Sequence, residues 1–191
     1  MTTAIPRRYD GGVLAVCTGN VCRSPFIERL LALTLPPSFA VSSAGTAALV
    51  GEQMDPGAAA QLRLHGGEPE GFVARQLTTE MVAEADLVLT ATRAHRAEVV
   101  SLWPRAMSYA FTLGDLGDLT QGLPAAARRD VDAPLAREAA RTLAGRRGLV
   151  PPRRPKEVDI TDPYGREDRV FAAMADQIVR ALPPVVRLLS R

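Results

Sequence analysis

An apolar run, Val13-Leu14-Ala15-Val16, ends on Cys17, and five residues then separate that cysteine from Arg23-Ser24-Pro25 (VLAVCTGNVCRSP). The run reads as a buried strand. Ser24-Pro25 reads as the opening of a helix, since serine caps helix N-termini and proline suits the first helical position. Gly19 lets the backbone bend tightly between the two. A strand passing through so short a loop into a helix constrains the rest of the chain to pack helices on a parallel sheet.

The remaining pattern follows this alternation. Strands are expected at Phe39–Ser43, Asp86–Ala91 and Ala106–Phe111. In the first helix Phe26, Leu30 and Leu33 recur at helical spacing, as do Ile27 and Leu31. Asp55-Pro56 repeats the cap-and-proline signal, with Gly66-Gly67 as the stop, and Thr92–Leu102 is a helix cut by Pro104. A C-terminal helix carries Val170, Met174, Ile178 and Leu182 on one face, and Pro183-Pro184 is expected to end or kink it. The expected fold is a three-layer α/β/α domain with a four-stranded parallel sheet.

Residues 115–158 fit less well. The domain is therefore read as 1–191 with a helical, Pro/Arg-rich insertion at about 115–158, in which Ala125–Ala144 is a candidate helix and Gly145–Pro155 a linker. From Arg128 to Lys156 there are nine basic and three acidic residues, read as a solvated face rather than an anion-attracting patch. Overall, 23 basic residues against 21 acidic give a net charge of +2, which argues for neither nucleic acid nor membrane as a partner. Without a signal-type N-terminus or a long apolar span, the expected location is cytoplasmic. Two cysteines build no disulfide framework, and His65 and His95 match no zinc spacing, so no metal site is expected. His95 is read as a surface or interhelix residue.

The chemistry concentrates in the loop. Ligands of parallel α/β sheets bind beyond the carboxyl ends of the strands, where Cys17 lies. A helix N-terminus favours anions, and a nest of backbone N–H groups suits a tetrahedral oxyanion. In such a place a thiol with a pKa of about 8.5 can fall to about 3.5–7.5. Arg23 brings a planar fork that grips two phosphate oxygens at once.

CTGNVCRSP resembles the Cys-x5-Arg-Ser phosphate loop of the low-molecular-weight protein tyrosine phosphatases, bacterial type. SSAG (42–45), ARQL (74–77), ADLVLTAT (85–92) and DPYG (162–165) extend the resemblance over most of the chain except about 115–158. The resemblance implies Cys17 as nucleophile, Arg23 as phosphate clamp and Asp162 as general acid. It also implies Thr18, Gly19, Asn20, Val21, Cys22, Ser24 and Tyr164 around the phosphate and substrate. Within that set Asn20 holds the loop, Ser24 stabilises the thiolate, and Ser43 supports the loop from the second strand. Cys22 is either a small apolar filler or a thiol that traps oxidised Cys17. The implied partner is a phosphorylated protein, with phosphate or vanadate as inhibitors and no cofactor.

In this family a branched aliphatic residue at the place of Val21 accompanies phosphotyrosine, and threonine accompanies phosphoarginine. Tyr164 supplies one aromatic wall, while TAALVGEQ, after SSAG, supplies no second. Three alternatives stay open: a protein-arginine phosphatase, an arsenate reductase on the same fold, and a non-catalytic phosphopeptide-binding module.

Overall fold

The computed structural model describes residues 9–123, 133–151 and 153–190. Four parallel strands, β1 (Gly11–Cys17), β2 (Phe39–Gly45), β3 (Leu87–Thr90) and β4 (Ala110–Thr112), form one sheet in the order β2-β1-β3-β4. The chain leaves β1 for β2 on one side and later enters β3 on the other. The carboxyl end of β1, at Cys17, is therefore the switch point where such sheets open a crevice.

Helices cover both faces: α1 (Arg23–Thr34), α2 (Pro56–Leu64), α3 (Thr79–Glu84), α4 (Arg93–Leu102), α5 (Leu116–Thr120), α6 (Leu135–Arg146), α7 (Pro155–Val158) and α8 (Asp168–Leu189). Alternate residues of β1 serve the two layers. Val13 and Ala15 pack with Phe26 and Ile27 of α1, Leu62 of α2, Leu116 of α5, and Met174 and Ile178 of α8. Leu14 and Val16 pack with Val82 of α3 and Val99 of α4. A strand buried on both faces needs the near-continuous apolar run that the sequence shows there. Among the described residues no helix is long and apolar enough to cross a membrane.

Several local expectations are corrected. The fourth strand is only Ala110–Thr112, because Pro104–Ser108 takes a 3-10 turn after Pro104. Leu33 is exposed, and the buried stripe of α1 is Phe26, Ile27, Leu30 and Leu31. Ser24 lies inside α1, which begins at Arg23, and the residue at the cap, Cys22, makes no side-chain capping bond. Asp55, by contrast, caps α2 by accepting from Gly57 N at 2.9 Å.

In the 115–158 stretch, α6 turns Leu135, Ala136, Ala139, Ala140 and Leu143 into the main core while Arg137 and Arg141 face solvent. The first part of the candidate helix, through Asp132, lies outside the described residues. The helix α8 also runs through Pro183 and Pro184 instead of ending there. Neither proline has an N–H to give the carbonyl four residues back. The apolar face nevertheless continues beyond them as Val185, Leu188 and Leu189, all buried, and that burial sustains the last turns.

Pro183 is solvent-facing, so replacing it removes a missing hydrogen bond without removing core contacts. Pro183→Ala should raise stability in urea unfolding by about 1–3 kcal/mol after allowance for the looser unfolded chain. A loss of stability would show that the proline fixes a geometry α8 needs.

Candidate active site

The loop from Cys17 to Arg23 is held from outside. Its carbonyls accept from neighbouring backbone: Cys17 O from Thr46 N (2.9 Å), Thr18 O from Ala47 N (3.1 Å), Gly19 O from Leu49 N (3.0 Å) and Val21 O from Asp55 N (2.9 Å). In a planar trans peptide the next residue's N–H points the opposite way. The N–H groups of Thr18, Gly19, Asn20 and Cys22 are thereby turned to the inner side of the loop. The fit is close at Gly45, where a Cβ would stand 2.3 Å from Thr18 O.

Asn20 is the pin of this loop. It is fully buried and is the one non-glycine residue with positive φ among those described, at 55°, a conformation asparagine tolerates better than most residues. Its Nδ2 donates to Ser24 Oγ and Ser43 Oγ, both at 2.9 Å, and its Oδ1 accepts from Arg75 N at 2.9 Å. Ser43 in turn donates to Glu28 Oε2, and Arg75 Nε donates to Ser43 O at 2.7 Å. Ser24 Oγ accepts from Asn20, and its own proton has two acceptors within reach, Cys17 Sγ at 3.0 Å and the more distant Ala44 O at 3.4 Å.

Cys17, Thr18, Gly19, Val21, Cys22, Arg23, Asp162 and Tyr164 line one cavity of about 160 Å³, with Ala47 and Leu49 on its wall. Asn20, Ser24 and Ser43 stand behind it. Arg23 reaches it from the first turn of α1: its Nη2 lies 2.8 Å from Asp162 Oδ2, and its buried Nε has no hydrogen-bond partner among the described residues. Asp162 is half-exposed and accepts from Tyr164 N. Burial, then the charge of Asp55, pushes the Cys22 thiol up, so Cys22 keeps its proton. Both cysteines are free thiols.

Sequence reasoning misplaced His95. It is 4% exposed and bridges two threonines: Nε2 lies 2.8 Å from Thr18 Oγ1 and Nδ1 lies 2.9 Å from Thr92 Oγ1. Burial lowers its pKa, and the nearby Arg23 charge lowers it further. Leu49, Glu28 and Arg75 were also missed. Arg75 lies within the ARQL stretch already singled out, but no local spacing announces which atoms it meets. Leu49 provides an aliphatic wall where the sequence offered no aromatic one. Among the described residues no group of three or more His, Cys, Asp or Glu is placed to hold a metal ion.

Residues 12–142 match the family model described as low molecular weight phosphotyrosine protein phosphatase. The chain is 40% identical over 121 residues to the low molecular weight protein-tyrosine-phosphatase Wzb of Salmonella typhi, covering 63% of this chain and 80% of that protein. The crystal structure of the Erwinia amylovora tyrosine phosphatase AmsI superposes with a TM-score of 0.69 at 26% identity, covering 100% of this chain and 98% of that one. The YwlE arginine phosphatase of Geobacillus stearothermophilus gives a TM-score of 0.67 at 27% identity, covering 92% and 90%.

Replacing Asn20 removes three hydrogen bonds, two of them buried, and puts a less tolerant residue at positive φ. Asn20→Ala should cost about 2–4 kcal/mol of stability and weaken vanadate inhibition. Urea unfolding and inhibition assays would measure both. Unchanged vanadate inhibition would mean that the loop keeps its shape without its pin.

Proposed function

The chain belongs to the low molecular weight phosphotyrosine protein phosphatase family, and on that premise we propose that it hydrolyses phosphotyrosine in proteins through a cysteinyl-phosphate on Cys17. The observation that carries the assignment of roles is the meeting of Cys17, Arg23 and Asp162 in one small cavity at the switch point of the sheet.

The Cys17 sulfur, held by the Ser24 hydroxyl, attacks phosphorus. The inward N–H groups of the loop and the Arg23 fork take the phosphoryl oxygens, including the charge that grows on them in the transition state. Arg23 Nη2 pairs with Asp162 Oδ2 at 2.8 Å. A bound phosphoryl group competes for the guanidinium and frees the carboxyl group for the leaving oxygen. Asp162, as the acid, protonates that oxygen as the P–O bond breaks. As a carboxylate it then takes a proton from the water that attacks the thiophosphate, releasing phosphate and the Cys17 thiolate. The loop and Arg23 supply the charge stabilisation, so the steps as drawn use no metal ion, and phosphate and vanadate are expected competitors.

Val21, Leu49 and Tyr164 give the cavity apolar and aromatic walls that suit a phenyl ring. Val21 has no hydroxyl to offer a guanidinium, which favours phosphotyrosine over phosphoarginine. The arsenate-reductase alternative would require thiols beyond Cys22 or an external thiol, and the chain has only two cysteines.

Cys17→Ser should abolish turnover of p-nitrophenyl phosphate while retaining vanadate binding, and Arg23→Lys should impair both. Asp162→Asn should slow esters with poor leaving groups by about 10²–10⁴-fold and good ones much less, because only the former need the proton. Near-normal turnover in Cys17→Ser would remove the nucleophile assignment. Equal slowing across a leaving-group series would make Asp162 structural.

A further inference from the structure

The buried histidine behind the catalytic cavity has a hydrogen-bond pattern that favours one tautomer. Thr92 caps α4: its Oγ1 accepts from the His95 backbone N–H at 3.2 Å and also lies 2.9 Å from His95 Nδ1. With the backbone N–H already on that oxygen, the Thr92 hydroxyl proton has one acceptor among its described partners, the bare Nδ1 lone pair. The ring proton then sits on Nε2 and points at Thr18 Oγ1, 2.8 Å away. Thr18 Oγ1 also faces Arg23 Nη2 at 3.5 Å. A hydroxyl oxygen that faces two donors keeps only its own proton to give, and Thr18 lines the catalytic cavity.

We propose that His95 is a positioning residue: through Nε2–H it orients the Thr18 hydroxyl as a donor into the catalytic cavity, where Thr18 holds a phosphoryl oxygen of the substrate on the Asp162 side. The side is set by Arg23 Nη2, which faces both Thr18 Oγ1 and, at 2.8 Å, Asp162 Oδ2. Burial and the Arg23 charge keep the imidazole neutral, which the relay requires, because an imidazolium would carry a proton on Nδ1 and break the bond from Thr92. The sheet makes the relay possible: β3, the strand before α4, lies beside β1, and Ala91 N donates to Val16 O at 2.9 Å, seating the start of α4 against the loop. The inference rests on the catalytic reading of Cys17, Arg23 and Asp162, and its test separates the two.

Nitrogen-15 NMR of histidine-labelled wild-type protein should find His95 protonated on Nε2 and bare on Nδ1; the opposite tautomer overturns the relay. Thr18→Val keeps shape and removes the hydroxyl, while His95→Leu removes the ring donor. Each should lower kcat/KM for p-nitrophenyl phosphate about tenfold or more and weaken vanadate inhibition in parallel, as expected for a lost bond to a charged oxygen. His95→Gln, whose amide can donate from nearly the same place, should recover most of the His95→Leu loss. In the Thr18→Val background, His95→Leu should cost nothing further. An equal loss in both backgrounds would mean that His95 acts through the fold and not through Thr18. Turnover by Cys17→Ser would fail the catalytic reading itself, whatever the tautomer.

Discussion

Backbone N–H groups can converge on a phosphoryl dianion only if the carbonyls of the same peptides are satisfied elsewhere. That constraint organises this molecule. The segment after β2 supplies N–H donors to the carbonyls of Cys17, Thr18 and Gly19, and Asp55 supplies one to Val21. Gly45 has no side chain because that segment approaches Thr18 O so closely. Asn20 takes the positive-φ conformation, the one non-glycine case among the described residues, and offsets it with three hydrogen bonds, two of them buried. The parallel pairing of β1 with β2 sets the distance: Cys17 stands opposite Gly45, so the two loops leave the sheet side by side.

Much of this was legible because it is local. A strand, a five-residue loop and a helix form one continuous stretch, and the chemistry of a thiol at a helix N-terminus follows from that order alone. Asp55-Pro56 and the Thr92 start of α4 were legible for the same reason: a cap and the backbone N–H that donates to it lie within three residues. Asp162 could be placed only through the resemblance of DPYG, since nothing local brings a residue 139 positions downstream onto Arg23.

The misreadings share a cause, namely tertiary packing that overrides a local signal. His95 reads as a surface or interhelix residue until the β1–β3 pairing brings the start of α4 to Thr18 of the loop, 77 residues away in sequence. Pro183-Pro184 signals a helix end or a kink, and the end does not come, because Val185, Leu188 and Leu189 have a core to enter and keep α8 going. Leu49 sits in a stretch without periodicity and becomes a cavity wall because its N–H holds Gly19 O.

The central claim is that Cys17 carries phosphate during turnover. Acid quenching in the steady state with p-nitrophenyl phosphate, followed by peptide mass spectrometry, tests it directly. One phosphoryl group is expected on the peptide containing Cys17, appearing before free phosphate and absent from Cys17→Ser. Active enzyme with no phosphorylated Cys17 at any quench time, or with phosphate on another residue, would contradict it.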